Sequence, residues 1–316
     1  MNGFPRLENK VFRASIADNS ALGAHVAGLN GVAELVLHRS GRSLFVPSSA
    51  GLNYEIIALT GLPPFPPTAV SMFEPRSEPM QIREATAERV VLVQPETSHA
   101  HVSATIAFRI AEPHYLHQHI ELTFHRRFAP PGRPHAFHSL WASYLHAPPD
   151  RHVYLRRGAP DAEPLSGWVG ITKLNHGPAD WHIRPLPDGR ELSPAEHLEA
   201  MRTRPPEVFG YGPVPPTDPL TLGREVAPGP LSAYYGLHGD ALFLMMFRQP
   251  ERFRFAYSPC GGGTEPAWSP AWDYVLLLED AELNRPYAWD LCLAVKPYAG
   301  RRDVVEEILR YRNESP

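Results

Sequence analysis

Twelve of the sixteen histidines fall between His99 and His182, and the densest run is HYLHQHIELTFH at positions 114–125. On an extended strand, alternate side chains leave the same face about 6.6–7 Å apart, so His117, His119, Glu121 and His125 form one polar stripe. Imidazoles titrate near neutrality and can pass protons to and from a substrate. Beside a carboxylate they also bind a divalent metal, for which His117, His119 and Glu121 are the nearest set. The plain alternative is a solvated polar strand face.

A second run, HAFHSLWASYLHAPPDRHVYLRRG at positions 135–158, places His138, Trp141, Tyr144 and His146 in an apolar strand that breaks at Pro148-Pro149. Sugar rings stack their C–H faces on indole and phenol rings while their hydroxyls hydrogen-bond to polar side chains, so this mixture suits a pyranose. Trp168, Asn175-His176-Gly177, Asp180, Trp181 and His182 continue it, with His176 in a turn as a further acid or base. In the third run, SPCGGGTEPAWSPAWDYVL at positions 258–276, triple glycine precedes Glu265, Trp268, Trp272 and Asp273. It lacks the Lys-Ser/Thr and helix of a phosphate loop. Two carboxyl groups at one sheet rim are what proton transfer at an anomeric carbon or glycosidic oxygen requires. Against these readings, Trp141, Tyr144 and Trp272 are equally suited to a protein core.

Strands must carry these residues. Val102, Ala104, Ile106, Phe108 and Ile110 alternate with polar neighbours, and Ile120, Leu122 and Phe124 lie opposite the histidine stripe. Arg252 to Tyr257 and Tyr287 to Val295 alternate likewise, while Arg89–Val93, Ala241–Phe247 and Tyr274–Leu278 read as fully buried strands. The Ser193, Pro194, Glu196 capping box opens a short helix to about Arg202. Val304, Val305, Ile308 and Leu309 form the stripe of a C-terminal helix. Residues 178–230 hold twelve prolines and read as a loop excursion covering one face.

The chain has 316 residues, 36 of them proline, and a formal charge of −4 without a Lys/Arg run. A large all-β unit fits that length. The charge argues against a nucleic-acid or anionic-membrane partner and leaves a small-molecule or oligosaccharide ligand. The longest apolar stretch, Ala241–Phe247, is far shorter than a membrane span, and residues 1–10 hold no signal-peptide core, so a cytoplasmic protein is expected. Cys260 and Cys292 read as a loop thiol and a core thiol.

The opening AHVAGLNGVAELVLHRSGRSLFVPSSAGLNYEI at positions 24–56, leading to a polar tip at Asn53 and Glu55, resembles the first strand, turn and strand of the galactose mutarotase-like superfamily. The segments HYLHQHIELTF and SLWASYLHAP are similar to its central strands. The resemblance implies a single large antiparallel β-supersandwich over residues 1–316 and a carbohydrate-active protein, an epimerase, lyase or hydrolase. By type and order it implies His119, His138, His146, His176, Glu265 and Asp273 in a concave groove. The expected catalytic set is His119, His176, Glu265 and Asp273, with Glu55, His138, Trp141, Tyr144, His146, Trp181 and Trp272 binding substrate. His119 or His125, His176, and Asp273 or Glu265 are expected to open into one pocket. No cofactor is required. A non-catalytic sugar binder and a metal-dependent cupin-type enzyme are the alternatives.

Overall fold

The computed structural model describes residues 3–64, 73–156, 165–173, 181–186, 190–203, 207–209, 232–258 and 269–314. Apolar alternation is satisfied by three antiparallel sheets. The largest has eleven strands in the order β13 (Glu207–Phe209), β12 (Trp181–Pro185), β11 (Trp168–Lys173), β10 (Val153–Arg156), β14 (Ala233–His238), β15 (Ala241–Phe247), β18 (Pro286–Pro297), β8 (Tyr115–Phe124), β7 (Val102–Ala111), β6 (Arg89–Gln94) and β5 (Gln81–Ala85). A four-stranded sheet runs β16 (Phe253–Ser258), β17 (Ala271–Leu278), β9 (Phe137–Ala142), β4 (Asn53–Leu59). The third sheet is β1 (Arg6–Glu8), β2 (Phe12–Leu22), β3 (Gly28–Leu37).

The large and four-stranded sheets pack face to face around one apolar core. Leu116, Ile120, Leu122 and Phe124 of β8 and Phe243, Met245 and Phe247 of β15 meet Trp272, Tyr274, Leu276 and Leu278 of β17 there. The Tyr274 hydroxyl crosses between the sheets to donate to Gln118 Oε1 at 2.9 Å, which satisfies two buried polar groups at once. Trp141 stacks on Tyr54 and Tyr274, with ring centroids 4.6 and 5.9 Å apart. The result is an all-β sandwich.

Helices are few, as the sequence implies. The capping box of α2 (Pro194–Thr203) forms as expected, with the Glu196 N–H donating to Ser193 Oγ and the Ser193 N–H to the Glu196 carboxylate. The C-terminal helix α3 (Arg301–Asn313) lies on the outer face of the large sheet, where Val304, Val305 and Tyr311 pack with Tyr235, Leu244, Met246 and the Cys292 thiol. Its stripe differs from the expected one. Leu309 is exposed, and buried Glu307 replaces it, held by Lys296 Nζ at 2.7 Å and by the Tyr115 hydroxyl at 2.8 Å. The proline-rich stretch 178–230 is more than a loop: its described parts include β12 and β13, which extend the edge of the large sheet. Among the described residues no helix is long and apolar enough to cross a membrane.

Candidate functional site

The candidate site lies on the outer face of the four-stranded sheet. Because Trp272 and Tyr274 of β17 face the core, the pleat sends Asp273 outward between them. A β-bulge positions Glu55. On β4, Tyr54 pairs with Trp141 and Ile56 with Leu140, so Glu55 is the extra residue without a cross-strand partner. Such a bulge re-aims one side chain without breaking the flanking alternation. Tyr54 therefore stays stacked in the core while Glu55 turns away from it. Tyr144 reaches the same place from the segment after β9, bridging to Ala271 and packing on Val46 and Ala142.

Glu55 is 1% exposed and its carboxylate is fully engaged. The Tyr144 hydroxyl donates to Oε1 and Oε2 at 2.8 and 3.0 Å. Arg76, from the helical turn α1 (Glu74–Ser77), donates to Oε1 at 2.7 Å and spends its other donors on the Gly28 and Ala24 carbonyls. Asp273 is 3% exposed, and the Ser143 N–H donates to it at 2.9 Å. Burial, then the nearby Glu55 carboxylate, push the Asp273 carboxyl well above its ordinary range. Burial also raises Glu55, but Arg76 and Tyr144 oppose the shift. Of these two buried carboxyl groups, only Glu55 is bonded to the Arg76 guanidinium. Both carboxyl groups are raised, and Arg76 and Tyr144 oppose the shift at Glu55 whereas only the Ser143 N–H opposes it at Asp273, so their environments differ. Beside them, the buried Asn53 Oδ1 and Ser49 Oγ have no hydrogen-bond partner. An unsatisfied buried polar atom costs about 1–3 kcal/mol.

The residues expected from the sequence separate into groups. Glu55, Tyr144 and Asp273 come together, and His138 shares their sheet face but sits four residues from Ala142, about 13 Å along the strand. Trp141 and Trp272 are fully buried between the sheets, where no sugar can stack on them; β9 is apolar on both faces, so its sequence does not say which way Trp141 points. His146 is exposed and lines a separate cavity of about 300 Å³ with Arg39, Arg42, His238 and Lys296. His117, His119, Glu121 and His125 do form a stripe, on the outer face of the large sheet. His119 and Asp273 therefore lie on opposite outer faces of the sandwich, because the core side of each sheet is taken by the aromatic residues, so these two do not share a pocket. Among the described residues no three His, Cys, Asp or Glu side chains gather as a metal site. His176, Glu265, Trp268 and Cys260 lie outside the described residues, as does the Trp181 side chain. Sequence reasoning missed Arg76, Ser49 and the bulge; the FEPR tetrad at 73–76, a charged pair beside proline, was the available signal for Arg76.

No family model and no curated protein matches this sequence. Among solved structures the chain is similar to a putative aldose 1-epimerase from Escherichia coli K12, with 10% identity, a TM-score of 0.52, and coverage of 94% of this chain and 99% of that one. It also matches an aldose epimerase homologue from C. elegans at 9% identity and a TM-score of 0.46, covering 93% and 99% of the two chains. An α-N-acetylgalactosaminidase from Bifidobacterium bifidum aligns at 13% identity and a TM-score of 0.47, over 98% of this chain and 38% of that one. At 10% identity the likeness to the Escherichia coli structure shows the fold alone, and that fold is the galactose mutarotase-like one.

Proposed function

We propose that the protein is a carbohydrate-active enzyme performing acid/base chemistry at an anomeric or glycosidic centre, with Asp273 as acid and Glu55 as base. The observation that carries this reading is the pair of buried carboxyl groups, Glu55 and Asp273, on one outer sheet face with a single cation, Arg76, bound to only one of them. In an epimerase-like turn, Asp273 gives its proton to the ring oxygen as Glu55 takes the proton of the anomeric hydroxyl. The C1–O5 bond breaks, an aldehyde forms, and the reverse transfers close the ring on the other face. On a glycosidic linkage the same donor would protonate the departing oxygen. Asn53 and Ser49 would accept and donate hydrogen bonds to sugar hydroxyls. His176, Glu265 and Trp181 stay in the proposal as further site members, to be tested by substitution.

The test incubates the protein with pure α- and β-anomers and with mixed oligosaccharides and follows products by NMR. Wild type should turn over at least one of them, and Asp273→Asn or Glu55→Gln should lower that rate by about 10²–10⁴-fold, the usual worth of a positioned proton donor or acceptor, with binding retained. A ligand bound equally by wild type and both amides, without turnover in any of them, would make this a sugar-binding protein instead.

A further inference from the structure

A second polar concavity, of about 260 Å³, lies on the outer face of the large sheet, on the side of the sandwich opposite Asp273. Strand register sets its floor in two adjacent rows. One runs Arg89, Arg109, His117 across β6, β7 and β8, and the other Val91, Ala107, His119, Asp290 across β6, β7, β8 and β18. The small side chain of Ala107 leaves the depression between them. Arg248, whose N–H donates to the Asp290 carbonyl, and Tyr311 and Glu314 at the end of α3 complete the lining.

The charges here are arranged in an unusual way. Arg89 and Arg109 stand directly opposite each other on neighbouring strands, a like-charge pairing that destabilises a sheet. Arg89 has an ion pair with Glu84 at 2.7 Å, and Asp290 is taken by His119 at 2.8 Å. Arg109 makes no hydrogen bond or ion pair among the described residues. The Arg248 guanidinium donates to the main-chain carbonyl of Glu314, hydrogen-bonds to Tyr311 and lies over its ring, 4.5 Å from the centroid. Glu314 is the remaining acidic residue of the lining, and its exposed side chain holds no partner among the described residues. His117 reports the resulting field: burial first, then Arg109 and Arg248, push its imidazole down to about 4. Two guanidiniums with unused donors, a neutral imidazole and an aromatic wall form a receptor for a planar or tetrahedral oxyanion, which guanidinium forks bind in bidentate fashion.

We propose that this groove, lined by Arg109, Arg248, His117 and His119, binds the anionic group of a small molecule, a carboxylate or phosphate. The volume is just below the ~300 Å³ at which small-molecule pockets begin, so it fits an anion on a single ring or a short chain. The site stands apart from the Glu55–Asp273 pair, and neither requires the other.

The experiment titrates inorganic phosphate and, separately, D-glucuronate into the full-length protein at constant ionic strength held with chloride, following the ring C–H signals of His117 and His119 by NMR. Saturable shifts of both signals are expected, with Arg109→Gln and Arg248→Gln each weakening the fitted Kd roughly tenfold or more, and Asp273→Asn leaving it unchanged. Tighter phosphate would mark a phosphoryl ligand and tighter glucuronate a carboxylate one, and either supports the site. Arg109 is exposed, so its glutamine variant should fold, and Arg248→Lys keeps the charge should Arg248→Gln unfold. Shifts that grow linearly without saturation, or equal affinity in wild type and Arg109→Gln, would overturn the proposal.

Discussion

Asp273 is the residue on which the proposed chemistry turns, and its burial has a consequence that needs no substrate to observe. Its carboxyl group is raised in the folded chain by burial and by Glu55, whereas in the unfolded chain it titrates near 3.9. As pH rises from about 4, the unfolded state therefore releases a proton that the folded state keeps. Stability from this group is complete below pH ~4 and is lost progressively as pH climbs toward the folded pKa. Asparagine cannot titrate and keeps the acceptor for the Ser143 N–H. The melting temperature of Asp273→Asn relative to wild type should thus improve as pH rises above about 4, as followed by calorimetry. A difference that moves the other way would mean that Asp273 is ionised in the fold and cannot be the proton donor. Glu55 shifts in the same direction but is shared by both proteins, so the comparison isolates Asp273.

At the scale of elements, what positions the site is one bulge and one missing side chain. The bulge on β4 leaves Tyr54 in the core and turns Glu55 out; a period-two pattern cannot reveal it, since NYEIIAL reads as one unbroken strand. The missing side chain is at Gly236 of β14. A Cβ there would stand 2.1 Å from Trp272 Cζ3, so the glycine makes room for the indole that flanks Asp273. Gly236→Ala should cost about 1–3 kcal/mol, the range of overpacking in a filled core, measured by urea denaturation. Trp272→Phe removes the ring edge that clashes, so the double variant should lose less than the two single changes added together. Simple additivity would mean that the backbone moves instead of the indole. This packing also explains why Trp141 and Trp272 looked like sugar platforms in sequence. Aromatic residues beside histidines and carboxylates have the same composition whether they line a groove or fill the layer behind it, and only the register of β9 against β17 and β4 separates the two.

Across the whole molecule, the fold was legible because period-two alternation is a local property: His117 to His125 against Leu116 to Phe124 shows a two-faced strand before any partner is known. The convergence of sites was not legible, since it depends on which sheet each strand joins and on which side of that sheet the core lies. The two outer faces now carry distinct polar features, Glu55 with Asp273 on one and Arg109 with Arg248 on the other, and the aromatic core between them is common to both. Interior packing at crystal-like density can transmit strain, so whether the faces are linked is a physical question with a measurable answer. A ligand that binds only the folded state at 100 times its Kd adds about 2.7 kcal/mol. If a sugar occupies the Glu55–Asp273 site and phosphate the arginine groove, denaturation with both present should show about 5.4 kcal/mol, the sum of the separate effects, to within the ~0.5 kcal/mol expected of distant, independent sites. The groups between Asp273 and His117 are mostly apolar side chains of the core, crossed by the hydrogen bonds from Tyr274 to Gln118 and from Tyr234 to the Trp272 carbonyl. A coupling above ~1 kcal/mol would place the link in one of these two bonds, and whichever of Tyr274→Phe and Tyr234→Phe restores additivity identifies it.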